Sequence, residues 1–345
     1  MQKKLIALAV AGLVSGAAFA QSNVTVYGIA DVYYARATAD GAKATNVING
    51  GGLSGSRIGF KGTEDLGNGL KALFVLEYGI ANDDKSVGIG SGSAPARQQL
   101  VGLTGGFGTV VAGSAQTAGY DFACATSAYA GSALDNYHKV GSRALLSCGQ
   151  DGRASNAFAY ISPSFSGATF AFNHARVTEN ATAQPTGSDA YANLLAVNYA
   201  AGPIAVGGVY SKINMANTSA DDNLIEYGIN GSYDLGVAKL FASYQTIDSK
   251  AVDNKNNKWG LAVTVPVGAF GIHAGYAKSR IKETAANDDP KSWTIAGTYG
   301  FSKRTTGYFG YNRVSNGADG AYASVLAPNL GGKSSVLAAG IRHSF

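Results

Sequence analysis

The stretch Gly51–Glu77, GGLSGSRIGFKGTEDLGNGLKALFVLE, reads as a strand, a tight turn and a second strand. In the first segment Ser56, Ile58, Phe60 and Gly62 fall on one face, and Gly55, Arg57, Gly59, Lys61 and Thr63 on the other. Asp65-Leu66-Gly67-Asn68-Gly69 is turn chemistry. Beyond it Leu70, Ala72, Phe74, Leu76 and Tyr78 share a face, opposite Lys71 and Glu77. One face of each segment is apolar and the other polar.

The pattern recurs outward from this hairpin. Ala238, Leu240, Ala242 and Tyr244 alternate with Lys239, Ser243 and Gln245, and Trp259, Leu261, Val263 and Val265 with Lys258 and Thr264. A soluble sandwich alternates in the same way, so the connections have to decide. Brief turns at 65–69, 105–108, 163–167, 201–203, 234–236, 266–269 and 301–304 separate longer polar stretches. Those stretches lie near 37–50, 81–95, 115–152, 177–189, 213–222, 248–257, 281–290 and 315–333. Short and long connections alternate throughout. Sixteen strands of about 10 residues, each long enough to cross a tilted bilayer path, fit the length with both termini on the turn side. The fold expected is all-β, a transmembrane antiparallel barrel of sixteen strands. No segment after residue 20 is apolar enough for a spanning helix.

Aromatic residues sit where a membrane girdle needs them. Phe107, Phe165, Phe270, Phe301 and Phe345 lie at or beside the turn ends, and Trp259 and Trp293 near the loop ends. The last strand, Ser335–Phe345, puts Leu337, Ala339, Ile341 and Phe345 on one face and stops on its aromatic residue. A terminal strand of this kind is the signal expected by bacterial barrel-assembly machinery, with Phe345 as its key residue.

Residues 1–20 have the parts of a secretory signal: Lys3 and Lys4, an apolar run from Leu5 to Val14, and Ala18-Phe19-Ala20. Cleavage is expected before Gln21, leaving 21–345 as a single barrel domain. Removing Lys3 and Lys4 from the 27 Lys and Arg leaves 25 against 22 Asp and Glu, a net charge of +3. That balance is too even for a nucleic-acid binder. Cys124 and Cys148, the only cysteines, both fall in the longest connection. An exported chain passes through an oxidising compartment, so a disulfide tying down this loop is expected.

Nothing in the chain composes a catalytic or metal site. His138, His174, His273 and His343 lack ligand spacing, and no serine motif accompanies them. Gly332-Lys333-Ser334 echoes a phosphate loop, but the glycine required five positions earlier is Ala327. No cofactor and no enzymatic activity are expected.

The chain resembles Gram-negative general porins, most closely those of β-proteobacteria. The resemblance rests on Val24-Thr25-Val26-Tyr27-Gly28, on Gly51–Glu77, on Arg97–Gly113 (RQQLVGLTGGFGTVVAG) and on Ala339–Phe345. It implies an outer-membrane homotrimer of water-filled barrels, in contact with lipid and lipopolysaccharide, passing ions and small hydrophilic solutes. Its third loop folds into the lumen, which here means 115–152, while the second, about 81–95, reaches a neighbouring subunit.

By motif, the family's constriction arginines map to Arg57, Arg97 and Arg153. Arg57 shares its polar face with Lys61, and lipid exposure of such a residue near mid-membrane costs about 2–4 kcal/mol. The parity around Arg97 is mixed. The inserted loop offers Asp121, Asp135 and Asp151 as acidic partners, alongside Lys139 and Arg143. Ser114 stands where related chains often carry an arginine, which weakens the expected charge. A weak anion preference is therefore expected. A substrate-specific channel is the alternative, and it would need an ordered aromatic track along its path.

Overall fold

A computed structural model describes residues 23–84, 95–176, 190–214, 223–249, 254–282 and 287–345. The signal sequence and its cleavage site lie outside these residues, as do the expected loop at 177–189 and most of the second loop. The strands are β1 (Asn23–Ala39), β2 (Ala42–Gly50), β3 (Arg57–Gly67), β4 (Leu70–Gly79), β5 (Ala96–Gly105) and β6 (Gly108–Gln116). They continue as β7 (Arg153–Ile161), β8 (Ala168–Arg176), β9 (Tyr191–Ala201), β10 (Ile204–Asn214), β11 (Asn223–Asp234) and β12 (Lys239–Ser249). The series ends with β13 (Asn254–Val267), β14 (Phe270–Lys282), β15 (Asn287–Asp288), β16 (Lys291–Gly300), β17 (Thr305–Ser315) and β18 (Lys333–Ser344).

Every neighbouring pair is antiparallel, and β1 pairs with β18 from Ile29↔Ser344 to Ala39↔Ser334, closing the sheet on itself. Closure leaves no open edge, as a bilayer requires of a spanning sheet. β2 and β3 lie in succession along the same flank of β1, and β15 and β16 along the same flank of β14. Each of these pairs is one interrupted wall strand. The eighteen segments thus make a closed barrel of sixteen strands.

The outer surface is apolar: Val101, Leu195, Ile229, Leu261, Ile295, Phe309 and Leu337 are all exposed. Phe107, Phe165, Phe270, Phe301 and Phe345 are exposed too, with Trp259 and Trp293, as an interfacial girdle requires. The seven expected turns all join consecutive strands. The first expected loop, 37–50, is instead strand. β1 runs to Ala39, Asp40 and Gly41 turn with Gly41 at φ 81°, and β2 returns from Ala42. The returning strand β2 is polar because it is largely exposed, while β1 buries Tyr33, Ala35 and Ala37.

Candidate functional site

The third long connection fills much of the lumen. It opens with helix α1 (Ala118–Cys124), whose N-cap Thr117 accepts a hydrogen bond from the Tyr120 amide. The two legs of the loop meet where the Thr117 hydroxyl donates to the Gly152 carbonyl at 2.8 Å. A disulfide joins Cys124 to Cys148, with their Cα atoms 4.8 Å apart. Closing a loop with a sequence separation of 24 stabilises by about 3–4 kcal/mol in the chain-entropy treatment.

Between its legs the loop lies against the inner wall from β8 round to β1. The Ala118 amide donates to Asn173 on β8, and Asn230 on β11 donates to the Phe122 carbonyl. Phe122 and Leu146 pack on Ala196 and Val209, and Tyr137 and Val140 on Ala277 and Val314. Tyr129 and Leu134 pack on Tyr33, Ala35, Ala296, Tyr308, Val336 and Ala338. Buried Glu226 accepts from the Ala144 and Leu146 amides. The barrel's apolar cores are thus largely interfaces between loop and wall. The stretch of wall that the loop covers least is β3, β4, β5 and β7, where Gln150 of the loop donates to the Ala96 carbonyl and Tyr120 covers Arg153.

That stretch carries the three expected arginines. Arg97 Nε donates to Glu77 Oε1 at 2.7 Å, and an Arg57 Nη lies 3.8 Å from the same oxygen. Arg153 stacks its guanidinium over the Tyr120 ring at 4.3 Å and donates to the Gly149 carbonyl at 2.8 Å. Arg57 feels the charges of both Arg97 and Arg153, so the three form one electrostatic group. Lys61 extends it along β3, its Nζ 5.2 Å from the centre of the Tyr27 ring. Tyr27 in turn donates to Glu77 Oε2 at 3.0 Å.

Local backbone irregularities aim two of these side chains. Glu77 pairs with Gln98 and Tyr78 with Ala96, which leaves Arg97 as the extra residue of a β-bulge. The bulge explains the mixed parity around it. A second bulge lies on β7, where Ser155 and Asn156, the latter at φ 52°, stand opposite Ser114 next to the pairing of Gln116 with Arg153. Glu77, on the polar face of β4, joins the arginines although its residue type alone assigns it no role. Its parity, shared with Arg57 and Lys61 across one hairpin, was the available signal.

The acidic residues of the loop divide. Asp121 sits in the first turn of α1, accepts from Gln116 Nε2 at 2.6 Å and lies within electrostatic reach of Arg153. Burial pushes its carboxyl up to about 7, against the opposing effects of Gln116 and Arg153. Asp135 was expected to line the constriction, but it is buried inside the loop. It accepts from the amides of Gly131, Tyr137 and His138 and from His138 Nδ1. Burial alone would raise its carboxyl, but His138 and the amides hold it below the usual carboxylate range. Asp135 is an internal fastener of the loop because three amides and the His138 ring of its own turn converge on its carboxylate. Asp151 pairs with Arg143 at 3.6 Å, both well exposed.

A closed barrel with an apolar belt, a loop folded into its lumen and a cluster of basic residues on its wall defines a membrane channel. The profile of the Gram-negative porin family matches residues 7–319, and the chain belongs to that family. It is 32% identical to outer membrane porin protein 32 of Delftia acidovorans, with all of both chains covered. It is 30% identical to major outer membrane protein P.IB of Neisseria meningitidis serogroup B, again over the full length of both. Among solved structures, the anion-selective porin from Comamonas acidovorans superposes with a TM-score of 0.77 at 25% identity, over 94% of this chain and 100% of that one. The protein is an outer-membrane diffusion porin, a passive channel and not an enzyme.

Proposed function

We propose that the pore prefers small anions weakly over cations. The observation that carries this reading is the charge of this stretch of wall: Arg57 and Arg97 share the carboxylate of Glu77, with Arg153 in electrostatic reach and Lys61 further along β3. A diffusion pore selects by width and by charge at its narrowest point. The Comamonas acidovorans porin of similar fold is anion-selective, which supports the same sign. In this reading the chain is exported by residues 1–20, cut before Gln21, and assembled as a homotrimer with both termini periplasmic. Small-residue wall near β1 and β18 forms the subunit contact. The terminal strand, ending at Phe345, is handed to the barrel-assembly machinery, and lipopolysaccharide surrounds the outer rim.

The test is the zero-current potential of the purified protein in a planar bilayer under a salt gradient. An anion-selective sign is expected, and a cation-selective sign overturns the reading. Competitive block of conductance by one solute and not by others would favour a substrate-specific channel instead.

A further inference from the structure

We infer that Asp31, which never faces the passage, is the positioning residue of the constriction. Gly50 pairs with Val32 and Arg57 with Ile29, so residues 51–56 all stand opposite Ala30 and Asp31 alone. Such an excess of chain has to fold away from the wall, and the Asp31 side chain holds it there. One carboxylate oxygen accepts from the Gly52 amide at 3.0 Å and the Tyr308 hydroxyl at 2.5 Å. The other accepts from the amides of Leu53 and Ser54, both at 2.8 Å. The Asp31 main chain is engaged as well, its amide with Ser56 Oγ and its carbonyl with the Gly51 amide. Asp31 is completely buried. Charge-assisted bonds to several amides are among the strongest a carboxylate makes.

The segment so held touches both sides of the passage. At one end the Gly52 carbonyl accepts from the Ala133 amide at the tip of the inserted loop, at 2.9 Å, and Leu53 packs into the cluster around Leu134. At the other end the Gly55 carbonyl accepts from Arg57 Nε at 3.0 Å. Gly55 also lies close enough to Arg97 that an added Cβ would stand 3.3 Å from its Nη1. Tyr308 reaches Asp31 from β17 by lying across Gly340 of β18, which pairs with Tyr33 of β1. The separation between loop tip and arginines is therefore set by a residue of the first strand.

The inference rests on the anion-preference reading only for the sign of the expected shift. Asp31→Asn and the charge-neutral Tyr308→Phe are compared with wild type for trimer heat stability, single-channel conductance and zero-current potential. Removing a negative charge alone would strengthen anion preference and leave conductance unchanged. Positioning predicts a change in conductance and a fall in the anion:cation permeability ratio of at least about two-fold for Asp31→Asn. It predicts a smaller change in the same direction for Tyr308→Phe. If Asp31→Asn assembles with wild-type conductance, the inference is overturned. If that variant does not assemble, Tyr308→Phe decides: altered conductance and potential support the inference, and wild-type values overturn it. A cation-selective wild type would sink the proposed function alone, because the conductance change in Tyr308→Phe is read without reference to sign.

Discussion

At the scale of single residues, the selectivity of this pore is a contest between a few charges. Glu77 neutralises part of the guanidinium group it holds together. Two unit charges about 4 Å apart interact by about 1 kcal/mol at water-like dielectric, less as salt rises. Glu77→Gln is therefore expected to raise the anion:cation permeability ratio by up to roughly five-fold at low salt. A reversal potential unchanged from wild type would show that Glu77 lies outside the ion path. Asp121 supplies a pH dependence. With its carboxyl at about 7, it is mostly neutral below that pH and mostly charged above it. Raising the pH through this range adds a negative charge within reach of Arg153, so anion preference should fall. In Asp121→Asn the profile should be flat. The same shift has a consequence for stability: the folded chain keeps a proton that the unfolded chain releases. Asp121 therefore contributes fully at acid pH and loses that contribution as the pH rises through about 7.

At the scale of elements, the inserted loop is seated on glycines of the wall. Phe122 lies over Gly228, Leu134 over Gly310, Asn136 over Gly275 and Tyr137 over Gly260. A Cβ at Gly260 would stand 2.6 Å from the Tyr137 ring, and one at Gly310 2.8 Å from Leu134 Cδ1. Wall glycines in this region admit the loop to close range. Gly260→Val should lift the loop, narrow the channel and reduce single-channel conductance, while overpacking costs about 1–3 kcal/mol. Conductance equal to wild type would mean that the loop does not limit the passage at Tyr137. This seating was not legible in the sequence. The 47 glycines read most simply as turn residues, and a strand glycine gives no sign of which side chain, a hundred or more positions away, will cover it.

At the scale of the whole molecule, closure of the barrel depends on its two ends. Gly28 and Phe345 exchange amide-to-carbonyl hydrogen bonds, both at 3.1 Å, and the Phe345 ring lies against Gly28. Deleting Phe345 removes that exchange together with the exposed terminal aromatic. The amount of heat-modifiable, folded barrel in outer membranes should drop, and a yield equal to wild type would rule out a role for Phe345 in assembly. Strand number, turn positions and girdle were readable because a bilayer imposes one length and one parity on every strand. Arg97 was harder to place, since a bulge shifts parity without leaving a mark in composition.

The sequence by itself determined the wall: alternation and the rhythm of turns and loops suffice for a closed membrane barrel, and motifs suffice for three of its arginines. Only the tertiary structure decided the passage. It put Glu77 among the arginines, withdrew Asp135 into the loop and set residues 51–56 on Asp31. The reason is physical. Strand periodicity is a local property written into neighbouring residues, whereas the geometry of the constriction comes from contacts between segments far apart in the chain, made only once the barrel has closed around its loop.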